Sequence, residues 1–126
     1  MKRLSEKAPE IQIHLNTLLV PAEVLADFII TKIEEKVDIL LIELTEKEEC
    51  ISKLNASLEL VLNGYLNPLE IQSFPVMGKP CILRLNRRRW KVKGQPSGNY
   101  YNDYSYTADG AKVTPKFGAF LKSIGR

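Results

Sequence analysis

Hydrophobic and polar positions along the chain follow two different periods, and the changes between them mark the predicted elements. A short helix is predicted from about Pro21 to Phe28, because proline suits the first turn of a helix and Leu25 follows at helical spacing. Residues 29–45 are rich in β-branched side chains and predict a hairpin with its turn at 34–36.

Two further strands are predicted in the middle of the chain. Leucines alternate with other residues over 57–62 and indicate a strand, and the dipeptide Asn63-Gly64 predicts that a turn ends it. A second strand is predicted over 66–74. The proline-rich segment 75–80 then predicts a break in the sheet.

Residues 81–92 carry the clearest strand pattern of the chain. Alternation places Ile82 and Arg84 on one face and Leu83 and Leu85 on the other. This strand ends in a basic run, so its pattern decides which cationic side chains share a face.

The last third of the chain predicts a loop, an extended aromatic stretch and a closing helix. Residues 93–99 are rich in Gly, Pro and Ser, and residues 100–106 contain four tyrosines. Thr114 and Pro115 suit the first positions of a helix. An apolar stripe would follow on that helix at Phe117, Phe120, Leu121 and Ile124.

Together these patterns predict an α+β fold, with an antiparallel, meandering sheet between a short N-terminal helix and a C-terminal helix. Residues 1–14 are polar and predict a loose tail. Residues 15–126 then form one domain, a size that can bury a core of its own. Apolar runs are too short to span a membrane and no signal-peptide core follows the basic start, so we expect a cytoplasmic location.

Charge is distributed unevenly along the chain. Residues 1–75 carry 7 Lys and Arg against 13 Asp and Glu, a net charge of −6, whereas residues 76–126 carry 11 against 2, a net charge of +9. Such a basic second half is typical of polyanion binding, although a solvated surface explains the same composition.

Candidate catalytic and metal-binding residues are few. His14 is the only histidine, and it lies in the predicted tail. Cys50 and Cys81 do not form a Cys-x-x-Cys pair, which argues against a structural zinc site and favours two reduced, partly buried thiols. The glutamates at 34–35, 46 and 48–49 lie in turn-like charged stretches and are interpreted as solvated. We therefore expect no enzyme activity, no metal and no cofactor.

The basic end of the 81–92 strand is the strongest candidate contact surface. Arginine matches phosphate with a two-pronged fork, so nucleic-acid contact is favoured over protection of a sheet edge or internal ion pairing. Arg87 and Arg89 are predicted to share one face. Trp90 could stack on a base, hold an arginine or pack in the core, and core packing is favoured. The candidate nucleic-acid-binding residues are Arg84, Arg87, Arg88, Arg89, Trp90, Lys91, Lys93, Lys112 and Lys116.

Two neighbouring features could extend this surface. Tyr100, Tyr101, Tyr104 and Tyr106 could stack on bases or bind phosphates, but strand tyrosines also face a core, and both readings stay open. Lys112 and Lys116 flank the predicted start of the last helix. Helix N–H groups with nearby lysines can hold a phosphate, and ordinary capping explains Thr114 equally well.

Three motifs resemble one known family. Residues 71–79 match a pattern I-x-x-F-P-x-x-G-K, followed by an apolar strand that ends in three arginines and Trp90. Residues 18–28 and 114–121 resemble two further family motifs, and the three motifs follow one another along this chain in the same order as in the family. The chain thus resembles the N-terminal region of ISAon-type insertion-sequence transposases over about residues 15–124.

The resemblance implies a non-catalytic part of a transposase that binds transposon-end DNA, with the catalytic DDE domain encoded elsewhere. Such regions also resemble the zinc-ribbon N-region of ISL-type transposases, in which a cysteine pair follows the basic strand. Residues 91–96 contain no cysteine, so the resemblance implies a degenerate ribbon-like second half that has lost its metal.

The alternative is a protein-interaction module that assembles with a separately encoded DDE transposase subunit or with itself, or a remnant of a mobile element. A stand-alone nuclease is a weaker third possibility.

Overall fold

The computed structural model describes residues 18–54, 57–104, 106 and 114–124, without the side chains of 115 and 116. In chain order the elements are α1 (Ala22–Leu25), β1 (Phe28–Glu35), β2 (Leu40–Glu46), a 3-10 helix (Glu48–Lys53), β3 (Leu60–Tyr65), β4 (Leu69–Val76), β5 (Lys79–Asn86), β6 (Arg88–Val92) and α2 (Pro115–Ile124). The predicted α+β class, with short helices towards both ends of the chain, is confirmed. None of the helices in these described ranges is long and apolar enough to cross a membrane.

The first helix is shorter than predicted. It ends at Leu25, and Phe28 already begins β1, where it lies opposite Glu46 and is fully buried. The predicted hairpin of β1 and β2 is confirmed, but its turn lies later, with the Lys36 N–H donating to the Ile39 carbonyl at 2.9 Å. An irregularity between Ile30 and Lys32 shifts the register of β1.

Four strands form one sheet in the order β1-β2-β5-β4. The central pair, β2 and β5, is parallel, whereas an antiparallel sheet is predicted from the sequence; that part of the prediction is wrong. Parallel pairing aligns two apolar rows, because Ile42 lies opposite Leu83 and Leu44 opposite Leu85, and all four side chains are buried. The sheet is therefore held at its centre by burial of these rows.

The sheet break predicted for the proline-rich segment 75–80 is not present, because this segment joins the paired strands β4 and β5. Met77 and Gly78 have positive φ angles of 52° and 81° and form a two-residue turn between β4 and β5. Pro75 lies in β4, which is an edge strand with an irregular register near Val76, and such a position tolerates the missing N–H.

A long bent hairpin links the four-stranded sheet to a second, two-stranded sheet. One arm consists of β3 followed by β4, and the other of β5 followed by β6. At the far end of the hairpin β3 pairs with β6, and we call this pair the β3–β6 ribbon. The bend lies at Arg87, whose carbonyl accepts the Leu66 N–H at 2.9 Å. The predicted single strand over 81–92 is therefore two strands, β5 and β6.

The predicted turn at Asn63-Gly64 is wrong. Both residues lie inside β3, where the register with β6 shifts between Leu62 and Tyr65. Gly64 has a φ of +80°, so the glycine accommodates a bulge rather than a reversal of the chain.

The two halves of the chain share both sheets. β1 and β2 pair within the sheet that holds β5, and β3 pairs with β6. The sequence predicts the basic, ribbon-like second half as part of one domain. Its described strands β5 and β6 pair with strands of the acidic half.

Helix α2 packs on the outer strand β4. Phe117 is buried with its ring centroid 5.1 Å from that of Phe74, and the Thr114 hydroxyl accepts the Phe117 N–H at 3.3 Å, which confirms the predicted cap. The rest of the predicted apolar stripe is largely exposed, at Phe120, Leu121 and Ile124. The core itself lies on the other side, with Val20, Val24, Phe28, Ile42, Leu44, Ile71, Cys81, Leu83, Leu85 and Tyr106.

Candidate nucleic-acid interface

The β3–β6 ribbon is covered along one edge by a returning segment. Trp90 and Tyr100 exchange two backbone hydrogen bonds, at 2.8 and 3.1 Å, although they lie in different parts of the chain. Gly98 passes so close to β6 that a Cβ at this position would lie 2.6 Å from the Lys91 Cα. The segment therefore covers the edge that β6 would otherwise leave unpaired.

Arg84 belongs to the four-stranded sheet and not to the ribbon. Its guanidinium lies between two carboxylates, with Nε 2.7 Å from Glu70 and Nη1 3.5 Å from Glu43. The hydrogen bond to Glu70 is the main reason that the pKa of Arg84 is raised. The charge of this predicted contact residue is thus matched within the fold.

Arg88 turns inward. Its side chain is 13% exposed, and its Nε donates to the Glu46 carbonyl at 2.7 Å. The guanidinium also lies 5.7 Å from the Tyr65 ring centroid and 3.9 Å from the Glu48 carboxylate. Of the two roles considered for the arginines, nucleic-acid contact and internal pairing, Arg88 shows internal pairing.

Glu46 is the buried partner of Arg88, although it is predicted from the sequence to be a solvated loop residue. It lies in β2 and is 1% exposed. Its carboxylate accepts the Arg88 backbone N–H at 2.8 Å, the Asn102 amide at 3.0 Å and the Tyr104 hydroxyl. Sequence reasoning missed this role, because the surrounding run of charges gives no sign that one carboxylate is enclosed.

A second carboxylate, Asp27, is linked to the surroundings of Glu46 through the stacked rings of Tyr104 and Tyr106. It accepts hydrogen bonds from Lys53 and from the Tyr106 hydroxyl, the latter at 2.6 Å. Burial raises the pKa of Asp27, but the hydrogen bonds from Lys53 and Tyr106 outweigh that effect and lower it below its usual value. Burial and the hydrogen bond to Glu46 raise the pKa of Tyr104, and burial and the hydrogen bond to Asp27 raise that of Tyr106. Both hydroxyls therefore act as neutral donors.

The four tyrosines consequently divide into two pairs. Tyr104 and Tyr106 stack on each other at 5.2 Å and contact Phe28, so they are structural. Tyr100 and Tyr101 are exposed beside the ribbon. Only this second pair is available to a ligand.

Both cysteines are free and buried, as the sequence predicts. Burial raises the pKa of the Cys50 thiol, and it raises that of Cys81 to about 11. Such thiols are poor nucleophiles near neutral pH. The described ranges contain no group of three or more His, Cys, Asp or Glu side chains that could hold a metal.

Arg87 lies at the bend between β5 and β6, recessed in a small pocket. Its side chain is 20% exposed, and Nη1 is 3.8 Å from the Asp103 carboxylate. The Arg87 Nε is buried, and no described residue gives it a hydrogen-bond partner. Arg87 is thus held less completely than Arg84 or Arg88.

Arg89 and Lys91 lie two residues apart on β6, so strand alternation gives them the same face, opposite to Arg88 and Trp90. The Arg89 Nε donates to the Asn63 carbonyl at 2.9 Å, and its guanidinium passes over Gly64. Among the described residues neither Arg89 nor Lys91 has a carboxylate partner.

The remaining predicted contact residues differ in their surroundings. Trp90 is 7% exposed, which confirms core packing, and its Nε1 is without a partner among the described residues. Lys93 is exposed and lies 3.4 Å from the exposed Glu59. Lys112 and the side chain of Lys116 lie outside the part of the chain that the structure describes.

Comparisons with known proteins add no relative. No family model, no curated protein and no solved structure matches the chain. The resemblance to ISAon-type transposase N-regions therefore stays a prediction that rests on the three sequence motifs.

Among the described residues of the predicted contact set, the cations without a carboxylate partner lie on one face of the ribbon. Arg84 pairs with Glu70, Arg88 donates to the Glu46 carbonyl and lies 3.9 Å from the Glu48 carboxylate, and Trp90 is buried. Arg89 and Lys91, flanked by Arg87 and Lys93, form a cationic row that can bind the phosphates of a polyanion.

Proposed function

We propose that this chain is a non-catalytic module of an insertion-sequence transposase that binds transposon-end DNA through the β3–β6 ribbon. The observation that carries the proposal is that Arg89 and Lys91 share one face of the ribbon without a carboxylate partner among the described residues. The motif resemblance supplies the biological context.

The shape of the ribbon supports this proposal. A two-stranded antiparallel ribbon fits the major groove of B-DNA, which is about 12 Å wide. From Arg89 to Lys93 the extended backbone covers roughly 13 Å, at about 3.3 Å per residue. A row of this length can reach phosphates on both sides of the groove, while the buried Trp90 fixes the strand from below.

The charge arrangement supports backbone contact over base reading. Phosphate binding by Lys and Arg releases condensed counterions, and a cation without a carboxylate partner is the one most available for it. Among the described residues Arg89 and Lys91 have no carboxylate partner, whereas Arg84 lies beside Glu70 and Arg88 beside Glu48. We therefore expect affinity with weak dependence on DNA sequence at this surface.

The double variant Arg89→Ala/Lys91→Ala tests the proposal. We expect its affinity for duplex DNA to fall about tenfold or more, because two charge-assisted contacts are lost. Fluorescence anisotropy with a labelled duplex measures the affinity. The matched control, Lys32→Ala/Lys36→Ala, removes two positive charges that pair with Glu34 near the far edge of the sheet. Equal losses in both variants would refute the assignment of the site.

A second candidate function is assembly with a separately encoded catalytic subunit, favoured by the exposed apolar face of α2. Phe120, Leu121 and Ile124 are all exposed on this helix. Leu121→Ser/Ile124→Ser is expected to abolish co-elution with that subunit in size-exclusion chromatography, while the exposed Lys122→Ser control retains it. Co-elution of the double variant would count against this surface.

A further inference from the structure

A small polar pocket lies where the bent hairpin changes direction, at the base of the β3–β6 ribbon. Its volume is about 290 Å³, and it is lined by Leu66, Asn67, Arg87, Asn99, Tyr101 and Asp103. Four of these six side chains can donate hydrogen bonds, and Asp103 is the single carboxylate among them. The lining therefore suits an anionic ligand.

Arg87 is the charged centre of this pocket, and its bonding is incomplete. Its Nε is buried and has no hydrogen-bond partner in the described part of the chain, which is uncommon for a native polar group. Its Nη1 is 3.8 Å from the Asp103 carboxylate, a distance beyond hydrogen-bond range. The guanidinium fork is thus available to a ligand that satisfies it better than Asp103 does.

Asp103 is weakly placed beside Arg87. Its side chain is 88% exposed, and among the described residues this long ion pair is its one charged contact. An exposed pair of this kind contributes little stability, so the carboxylate can rotate away at small cost. It therefore behaves as an internal anion that a stronger ligand can displace.

We propose that the pocket binds one backbone phosphate of the DNA, with Arg87 as its main ligand, and that Asp103 occupies the site when DNA is absent. This inference rests on the proposed function. A guanidinium binds phosphate through two parallel hydrogen bonds, and Asn67, Asn99 and Tyr101 supply further donors. Arg87 precedes Arg89 by two residues, about 7 Å along the chain, so one DNA backbone can reach both.

Replacement of the internal anion tests this inference. We expect Asp103→Asn to raise the affinity for a duplex roughly two- to fivefold, because the phosphate no longer competes with a carboxylate. Glu48→Gln is the matched control. Glu48 is 81% exposed and lies 3.9 Å from Arg88, but Arg88 is held by Glu46, so we expect this neutralisation to change the affinity less.

The gain must also depend on Arg87. Arg87→Lys keeps the charge but lacks the fork, so we expect weaker duplex binding. The double variant Arg87→Lys/Asp103→Asn should then show no gain over Arg87→Lys alone. Circular dichroism verifies that each variant is folded.

The ¹H–¹⁵N signal of the Arg87 Nε gives a second readout that needs no Arg87 variant. We expect a saturable shift on addition of the duplex, at lower duplex concentration for Asp103→Asn than for the wild-type protein. A shift with inorganic phosphate but none with duplex would identify a free anion as the ligand and would overturn the proposal.

The outcomes separate this inference from the proposed function. If Arg89→Ala/Lys91→Ala loses affinity while Asp103→Asn behaves like Glu48→Gln, or keeps its gain without Arg87, the pocket proposal alone is wrong. If the wild-type protein shows no salt-dependent binding of duplex DNA, both proposals fail.

Discussion

A single buried carboxylate, Glu46, joins three parts of the fold. It accepts hydrogen bonds from β6, through the Arg88 N–H, and from the 100–106 segment, through Asn102 and Tyr104. A buried charge is tolerated only where such donors replace water. Glu46 therefore fixes the base of the ribbon against the four-stranded sheet.

Replacement of this carboxylate by an amide is predicted to destabilise the protein. In Glu46→Gln one oxygen becomes an NH₂ group, which would face either the Arg88 N–H or the Asn102 amide, and both are donors. We expect the free energy of unfolding to fall by about 2–3 kcal/mol, measured by denaturant titration. Glu49→Gln, an exposed glutamate of the 3-10 helix, should change it little. Equal stability of the two variants would contradict the role given to Glu46.

The three consecutive arginines show how far residue type predicts a site. The sequence correctly indicates alternation of the side chains along the strand, but it cannot reveal which arginine meets a carboxylate. The Arg88 guanidinium lies 3.9 Å from the carboxylate of Glu48 in the 3-10 helix. Arg87 faces a pocket lined by residues of an earlier and a later loop. Contacts over such separations are set by the sheet order, and local pattern does not encode that order.

At the scale of elements, the ribbon depends on the segment that returns along β6. The Trp90–Tyr100 backbone pair and the close passage of Gly98 hold this segment in place. A side chain at position 98 would separate the two backbones. The position of the ribbon's cationic side chains therefore depends on Gly98, although this residue has no side chain of its own.

Two glycine substitutions separate close packing from backbone conformation. In Gly98→Ala the new Cβ would lie 2.6 Å from Lys91 atoms, and we expect a loss of about 2–3 kcal/mol in unfolding free energy. In Gly94→Ala, where φ is +87° and the space around the Cβ is open, only left-handed strain of about 1 kcal/mol is expected. A smaller loss for Gly98→Ala than for Gly94→Ala, in thermal or denaturant unfolding, would argue against this packing.

Strands with regular alternation were predictable, and irregular ones were not. The alternation of β5 places Leu83 and Leu85 on one face, as predicted, and the structure buries both side chains. Asn63-Gly64 was misleading because the same dipeptide suits a turn and a bulge, and only the partner strand decides between them. The break at Arg87 has the same origin, since it follows from the bend of the paired hairpin.

At the scale of the whole molecule, part of the uneven charge of the sequence is compensated by ion pairs between the two halves. Basic residues of the second half pair with acidic residues of the first, as in Lys79–Glu35, Arg84–Glu43 and Lys93–Glu59. The parallel pairing of β2 with β5 brings the two halves together. Net charge alone therefore overstates the surface available to a polyanion, and the proposed function assigns contact to the described cations without carboxylate partners.

The sequence predicted the α+β class but not this pairing of halves. Parallel strands β2 and β5 are joined by a long connection that includes β3 and β4, and the apolar runs alone are compatible with several sheet orders. The basic strand end is predicted as the contact surface, and the structure gives the separate environment of each described cation within it.

The salt dependence of duplex binding tests the central claim, contact of Arg89 and Lys91 with the DNA backbone, most directly. A plot of log affinity against log salt has a slope of about −0.9 for each phosphate contact. We predict that Arg89→Ala/Lys91→Ala makes the slope shallower by about 1.8, and that Lys32→Ala/Lys36→Ala leaves it unchanged. An unchanged slope in the ribbon variant, or the same change in both variants, would contradict the claim.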